Sequence, residues 1–329
     1  MWRLIFLFFF PISISAQLKR FEFTENKMGS PFRIVFYCED STKALQLSHQ
    51  CYAMIDSLNN IYSDYNLSSE IGKLSSTTTE QNVSNELFDM LIRSRHAWKR
   101  SGKTFDITIG ALTKLWRTTR NEKRFPTPAE IELAKESTGF KNLKYDIFLK
   151  TISFKKPGMS FDFGGIVKGY AAQKIVDNLK SRNINFALVD AGGDIVVSEA
   201  APGKNNWTIA INLPGNENEM WEKKLALNNC AVATSGDIYR YTLHDGKKYS
   251  HIIDPLTGYG VTTQRNVTVI AKDGATSDWV ASACSILPIK KALKLAKKEN
   301  AELMIAALKN EKIITYKTKN FDSYFENSD

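Results

Sequence analysis

Ser160-Phe161-Asp162-Phe163-Gly164-Gly165-Ile166-Val167-Lys168-Gly169-Tyr170 changes character half-way along. Its first four residues alternate as a strand does and carry one carboxylate. After the paired glycines, Ala171, Ile175, Val176 and Leu179 recur at helical spacing. The stretch therefore reads as a strand that breaks at Gly164-Gly165 and feeds an amphipathic helix. Glycines at a helix start let backbone approach a ligand, and the unpaired N–H groups and helix dipole favour an anion there. Lys168, one turn in, adds a full positive charge. On this stretch alone a plain tight turn explains the glycines more simply, and the surrounding chain reverses that order.

Downstream, Phe186-Ala187-Leu188-Val189 reads as a buried strand entering Asp190-Ala191-Gly192-Gly193-Asp194, with Ile195-Val196-Val197 resuming the sheet, as in a hairpin. Strands at Trp207–Ile211 and Lys224–Leu227 lead to Cys230-Ala231-Val232-Ala233-Thr234-Ser235-Gly236-Asp237. This spacing favours hairpins over βαβ repeats. The expected class is α+β, with mixed, largely antiparallel sheets flanked by helices in two closely packed lobes. In His251-Ile252-Ile253-Asp254-Pro255-Leu256-Thr257-Gly258, an extended chain would point His251 and Asp254 to opposite sides. One pocket takes both only if the chain turns near Ile253, as Pro255 encourages. A strand over Asn266–Ala271 is followed by a helix over Trp279–Leu287. Asp278 and Ser282 lie one turn apart on one face, where both oxygens can reach one hard cation; Asp278 as a simple N-cap reads equally well. A helix through Leu293 and Ala296 and strands at 302–308 and 312–316 complete a sheet layer.

Upstream, Lys27–Tyr37 reads as a turn into a strand, and Ser41 as the cap of a helix that carries Ala44, Leu45, Cys51, Ile55 and Leu58 at helical spacing. Tyr65 suits stacking on a flat ligand or ordinary burial. A helix spans Asn85–Arg100. Asp106 sits in the strand-like Gly102–Gly110 run, where a carboxylate needs a partner, a ligand or water. Thr127-Pro128-Ala129-Glu130 is a capping box opening a short helix. His49, His96 and His244 lack chemical company and read as surface residues.

A length of 329 residues suits one large domain or two packed lobes. The formal charge of +9 is spread along the chain with no arginine-rich block, which suits solubility and anionic ligands; no nucleic-acid partner is expected. Residues 1–16 match a signal peptide: a basic start, the apolar run Leu4–Phe10, and small residues at Ser15-Ala16. The expectation is an exported protein, periplasmic or envelope-associated, with 17–329 as a single domain. No cysteine stands near the cleavage point, so no lipid anchor is expected. Cys38, Cys51, Cys230 and Cys284 share no metal-ligand spacing and read as buried thiols, a Cys38–Cys51 disulfide staying open.

Together these stretches resemble the ApbE family of flavin transferases. Five motifs stand in family order between Met28 and Leu287: the glycine-lysine stretch, Asp-Ala-Gly-Gly-Asp, Thr-Ser-Gly-Asp, His-x-x-Asp-Pro-x-Thr-Gly and the stretch at Asp278. The resemblance implies a T-fold-like architecture and transfer of FMN from FAD to a Thr or Ser hydroxyl of an acceptor protein, releasing AMP. It places FAD on Met28, Tyr65, Thr104, Phe105, Asp106, Asp162, Lys168 and Ile253. It places Mg²⁺ on the backbone oxygen of Gly165 and the side chains of Asp278 and Ser282. Family members usually carry Thr where Ser282 stands, and many carry a hydroxylated aromatic where Phe32 stands. His251, with Asp254, is the candidate for positioning or deprotonating the acceptor hydroxyl. The implied acceptor is often a subunit of a membrane electron-transfer complex. Two alternatives share these residues: an FAD pyrophosphatase giving FMN and AMP, and an FAD-binding protein without turnover.

Overall fold

The computed structural model describes residues 17–75, 77–212, 221–236, 241–310 and 312–326. The segment read as a signal peptide lies outside them, as does Asp237. Met28 and Gly29 both adopt positive φ, 49° and 74°, the two-residue turn whose twist matches paired strands. It joins β1 (Lys19–Lys27) to β2 (Ser30–Cys38). The first of these strands was not anticipated, because Phe21 and Phe23 alternate with too few other apolar residues to stand out. Helix α1 (Ser41–Tyr62) is capped by Asp40 rather than Ser41, the Asp40 carboxylate accepting the Lys43 N–H at 2.8 Å. Then come α2 (Glu70–Leu74), β3 (Gln81–Asn82) and α3 (Asn85–Arg100).

The Gly102–Gly110 run is not a strand. Asp106 Oδ1 accepts both the Thr108 N–H (2.9 Å) and its hydroxyl (2.6 Å), and this local bonding replaces a ladder with a 3₁₀ turn over Ile107–Ile109. That turn runs into α4 (Gly110–Asn121), and the Thr127 capping box opens α5 (Pro128–Glu136) as read. Strands β4 (Leu143–Asp146) and β5 (Thr151–Phe154) form a small sheet with β3. Ser160–Phe163 also joins no ladder. Phe161 and Phe163 are buried together, and the Asp162 N–H donates to the Ile107 carbonyl, so the run lies against the 3₁₀ turn. The predicted helix follows as α6 (Val167–Ser181).

The second half supplies β6 (Ala187–Ala191), β7 (Asp194–Val197), β8 (Trp207–Ile209), β9 (Leu225–Leu227), β10 (Cys230–Gly236), β11 (Tyr241–His244), β12 (Lys247–Ser250) and β13 (Arg265–Ala271). Helices α7 (Gly274–Ile286) and α8 (Ile289–Lys298) and strands β14 (Glu302–Lys309) and β15 (Lys312–Lys317) end the chain. The cap of α7 is Asp273, which takes the Thr276 N–H, so Asp278 lies inside the helix and is not its N-cap.

Eight strands make one sheet in the order β1-β2-β6-β7-β10-β13-β14-β15, and every described pairing is antiparallel. An antiparallel sheet with one wet face alternates apolar and polar residues; here β13 is buried along its whole length. The reason is that both faces are covered. Ile34, Val189, Val269 and Ile305 pack with α1, α6, α7 and α8, while Val35, Leu188, Ile270 and Met304 meet Trp207, Leu225, Phe321 and Phe325. Cys38, Cys51 and Cys284 are buried free thiols within this core, and Cys230 is a half-buried one.

One contact fixes how the helices meet. Gly169, inside α6, lies so close to the start of α7 that a Cβ on it would stand 2.0 Å from the Gly274 carbonyl oxygen. Glycine within a helix costs about 1 kcal/mol relative to alanine; at this crossing only glycine lets the two backbones touch.

Candidate active site

A cleft of about 1160 Å³ opens where the α6–α7 crossing meets the ends of β6, β7, β10 and β12. That exceeds the usual volume of a drug-sized site and suits a dinucleotide. Every residue proposed from sequence for ligand or metal lines it: Met28, Tyr65, Thr104, Phe105, Asp106, Asp162, Gly165, Lys168, Ile253, Asp278 and Ser282, together with His251. Asp254 does not. Its carboxylate accepts the Leu256 N–H at 2.9 Å, and its carbonyl accepts the Gly258 N–H, so it builds the turn that carries the loop. His251 is exposed at the cleft wall, and Ile253 is buried and bridged to Gly260.

The end of the cleft at the helix crossing is dense with charge. Ile166, the residue before α6, offers no side-chain cap. In its place Asp278, from α7, accepts the Gly169 N–H at 3.1 Å, bringing a carboxylate to the positive end of the α6 dipole. Asp278 is 5% exposed. Burial, then the neighbouring Asp194 carboxylate, drives its pKa well above the ordinary Asp value, while the Gly169 N–H and Lys168 pull it back. Asp194 is itself pushed up to about 7, by burial first, with Lys168 opposing and Asp190 reinforcing. Two carboxylates thus share one ammonium, an imbalance that a divalent cation relieves.

The donors fit such an ion. A Cβ on Gly165 would stand 2.7 Å from the Ser282 hydroxyl oxygen, so only glycine leaves that space open between α7 and the α6 start. Among the described residues no three His, Cys, Asp or Glu side chains gather at one point. Carboxylate, hydroxyl and carbonyl oxygens are instead the set a hard cation takes while keeping part of its water shell.

Away from the crossing the wall carries shaped, partly polar groups. Asp162 Oδ1 accepts the Gly164 N–H at 2.7 Å and holds the glycine turn. Phe105 lies against Trp279, ring centroids 6.0 Å apart, and the Thr104 hydroxyl donates to the Ser101 carbonyl. Asp106 is pushed up to about 6 by burial, against the pull of the Thr108 hydroxyl and N–H and of Trp98. At the outer end Tyr65 is 76% exposed, with the Arg117 guanidinium 3.9 Å from its ring centroid. Arg117 also holds Asp64 at 2.6 Å; burial and then Asp162 raise the Asp64 pKa, and Arg117 lowers it.

Sequence reasoning passed over several of these groups. From sequence Asp194 reads as a hairpin residue; its signal is a carboxylate directly after two glycines at a strand start. Asp64 and Arg117 are 53 residues apart and gave no local signal. Asn266, also in the wall, is buried with its amide oxygen unpartnered, a donor-seeking atom hidden in a strand pattern.

The model of the ApbE family matches residues 28–305. The chain belongs to the ApbE family. It is 30% identical to the FAD:protein FMN transferase of Treponema pallidum over 65% of this chain and 63% of that protein. Against the enzyme of the same name from Haemophilus influenzae identity is 27%, over 91% of this chain and 90% of that one. The ApbE protein of Thermotoga maritima superposes with a TM-score of 0.85 at 27% identity, covering 94% of this chain and all of that one. The shared architecture is the α+β arrangement of antiparallel sheet and helices expected from sequence.

Proposed function

We propose that the protein is a magnesium-dependent FAD:protein FMN transferase, forming a phosphoester between FMN and a Thr or Ser hydroxyl of an acceptor protein and releasing AMP. The observation that carries this reading is the pairing of Lys168 and the α6 N-terminus with the buried carboxylate of Asp278 and the half-buried Asp194 at the closed end of a dinucleotide-sized cleft. Family membership and the names of the relatives support it.

In this reading Tyr65, Met28 and Phe105 pack on the flat rings of FAD, and Asp106 and Thr104 meet polar atoms of the dinucleotide. The Lys168 ammonium and the positive end of the α6 dipole face the pyrophosphate and stabilise charge that develops on its oxygens, while the N–H groups of Val167, Gly169 and Tyr170 stay bonded to Phe163, Asp278 and Ile166. Asp278, Ser282 and the Gly165 carbonyl would hold Mg²⁺, which supplies further charge neutralisation at phosphate oxygens. The bond between the FMN phosphorus and the bridging oxygen breaks, that oxygen leaving with AMP, the acceptor oxygen takes its place on the FMN phosphorus, and the hydroxyl proton passes to His251. Asp254 shapes the loop that presents His251. The chain is read as exported through residues 1–16 to the periplasm or envelope, and a subunit of a membrane electron-transfer complex is the proposed acceptor.

Incubating the protein with FAD, Mg²⁺ and an envelope extract, then viewing a denaturing gel under ultraviolet light, tests the reading. A fluorescent acceptor band that disappears with chelator or in Asp278→Ala is expected. Free FMN and AMP without a band would replace the transferase by a pyrophosphatase, and a His251→Ala enzyme as fast as wild type would remove the proposed base.

A further inference from the structure

Most exposed apolar side chains stand singly, as on any protein surface. Among the described residues Ile313 and Ile314 are adjacent at 36% and 40%, and one group is larger and far more exposed: Ile147, Phe148 and Leu149 are consecutive and 60%, 94% and 67% exposed. They form the tip between β4 and β5, and neither strand of that hairpin lines the cleft. We propose that this tip inserts into the interface of an anionic lipid membrane and docks the protein there.

The hairpin presents the tip on a firm base. Leu143, Ile152 and Phe154 are buried, and Tyr145 meets Phe88 with ring centroids 6.4 Å apart. Lys150 closes the turn at φ 50°. The backbone at the tip is also prepared for a low-dielectric boundary. Asp146 Oδ1 accepts the N–H groups of both Phe148 and Leu149 at 2.8 Å, so neither donor enters the interface unpaired. A convex point of three large apolar side chains suits the fluid acyl boundary, which needs no complementary groove.

Charge around the tip selects the partner. Lys141, Lys144, Lys155 and Lys156 are exposed on the same hairpin and its flanks, and Lys150 adds a fifth ammonium, bonded to Asn85. Opposing them are Glu80, 3.8 Å from Lys144, and Asp146, whose carboxylate is engaged by the turn. By the register Lys144 lies two pairs back from the tip, and Lys141, Lys155 and Lys156 lie at the base of the hairpin, about 13 Å back at ~3.3 Å per residue. The flank is therefore basic at headgroup depth above an inserted tip and complements anionic headgroups, while its long apolar stems can lie along the boundary.

The test places an environment-sensitive nitrobenzoxadiazole label on Phe148→Cys in the full chain. The labelled unsubstituted protein gives the background, since three of its four thiols are buried and Cys230 is half-buried. An unchanged melting transition certifies the fold. Vesicles of phosphatidylglycerol and phosphatidylcholine should shift the label to the blue and raise its emission several-fold. Pure phosphatidylcholine should do far less, and high salt should reverse much of the effect. Lys141→Ala with Lys144→Ala should weaken the apparent vesicle affinity by roughly tenfold. A label that stays at its aqueous emission with phosphatidylglycerol vesicles overturns the proposal. So does one that answers only to a purified acceptor protein, which would make the tip a protein-docking point. Neither result bears on flavin transfer, because the readout does not use that activity.

Discussion

At one end of the cleft the backbones of α6 and α7 touch at Gly169 and Gly274, and an ionisable carboxylate, Asp278, is 5% exposed. At the other, Tyr65 is 76% exposed and rests on one guanidinium. The closed end holds its groups through helix geometry, so a carboxylate disfavoured by burial stays where chemistry can use it. The open end holds its groups through side chains that can move. Tightly packed, charge-rich construction at one end and exposed side chains at the other fit the proposed division of reaction from recognition.

The largest effects should come from the closed end, in two forms that separate geometry from charge. Gly169→Ala puts a Cβ 2.0 Å from the Gly274 carbonyl oxygen, which must force the helices apart. It should cost about 3 kcal/mol in urea unfolding and abolish flavin transfer. Asp278→Asn keeps an acceptor for the Gly169 N–H but removes the disfavoured charge. Transfer should fall on the order of 100-fold or more, while the chelator-treated protein becomes more stable at pH 8. Equal loss of stability in both variants would mean that the carboxylate is structural.

The open end should answer differently. Tyr65→Ala should weaken FAD binding by about 5- to 100-fold, the range of one lost aromatic stack, with an unmoved melting transition. Arg117→Ala should do the same through loss of the stacked guanidinium, and it also leaves Asp64 without its ion-pair partner. Calorimetric titration with FAD beside thermal unfolding reads both. A large drop in melting temperature for Tyr65→Ala would erase the contrast between the ends.

How much of this was legible beforehand follows the range over which each feature is encoded. The Met28-Gly29 turn, the α3 boundaries and the Thr127 capping box are decided within a few residues, and the sequence states them. The strand-like runs at Gly102–Gly110 and Ser160–Phe163 misled because alternation reports only which side is buried. Asp106 folds its own run into a turn, and Asp162 ties the other run to Ile107. Of the residues lining the cleft, Asp162, Gly165, Lys168, His251, Ile253, Asp278 and Ser282 lie in or beside motifs, whereas Met28, Tyr65 and Thr104 to Asp106 are placed there by the family resemblance alone. The contact that makes the closed end work, Asp278 on the Gly169 N–H, joins residues 109 apart. A glycine inside a helix pattern hinted at close packing there without naming its partner.

Acid titration probes a buried carboxylate between the two ends. Asp106 is pushed up to about 6 from an ordinary value of 3.8. The folded protein therefore holds the proton more tightly than the unfolded chain does. Stability is greatest below pH 4 as far as this group is concerned, and is lost as pH rises through about 6. The full difference is about 3 kcal/mol at most. Asp106→Asn, whose amide oxygen still accepts from Thr108, should match wild type near pH 4 and exceed it at pH 8, measured in chelator by urea unfolding. Parallel wild-type and variant curves would place the proton elsewhere, with Asp194, pushed up to about 7, as the next candidate.

The smallest effect asks how much slack the closed end retains. The family resemblance implies Thr where Ser282 stands, and the Ser282 Cβ lies 3.2 Å from the place a Gly165 Cβ would occupy. A methyl group added by Ser282→Thr would restrict the hydroxyl to fewer rotamers on the helix and so hold it for a cation with less loss of freedom. The magnesium concentration giving half-maximal transfer should fall, by roughly two- to fivefold, for a rotamer preference worth about 0.5–1 kcal/mol. The alternative is that the backbone contacts leave no room, in which case overpacking costs about 1–3 kcal/mol in stability and the magnesium requirement rises. The two outcomes move the magnesium requirement in opposite directions, and only the second costs stability. They decide whether the serine marks a looser cation site or a tighter crossing that has shed a methyl group.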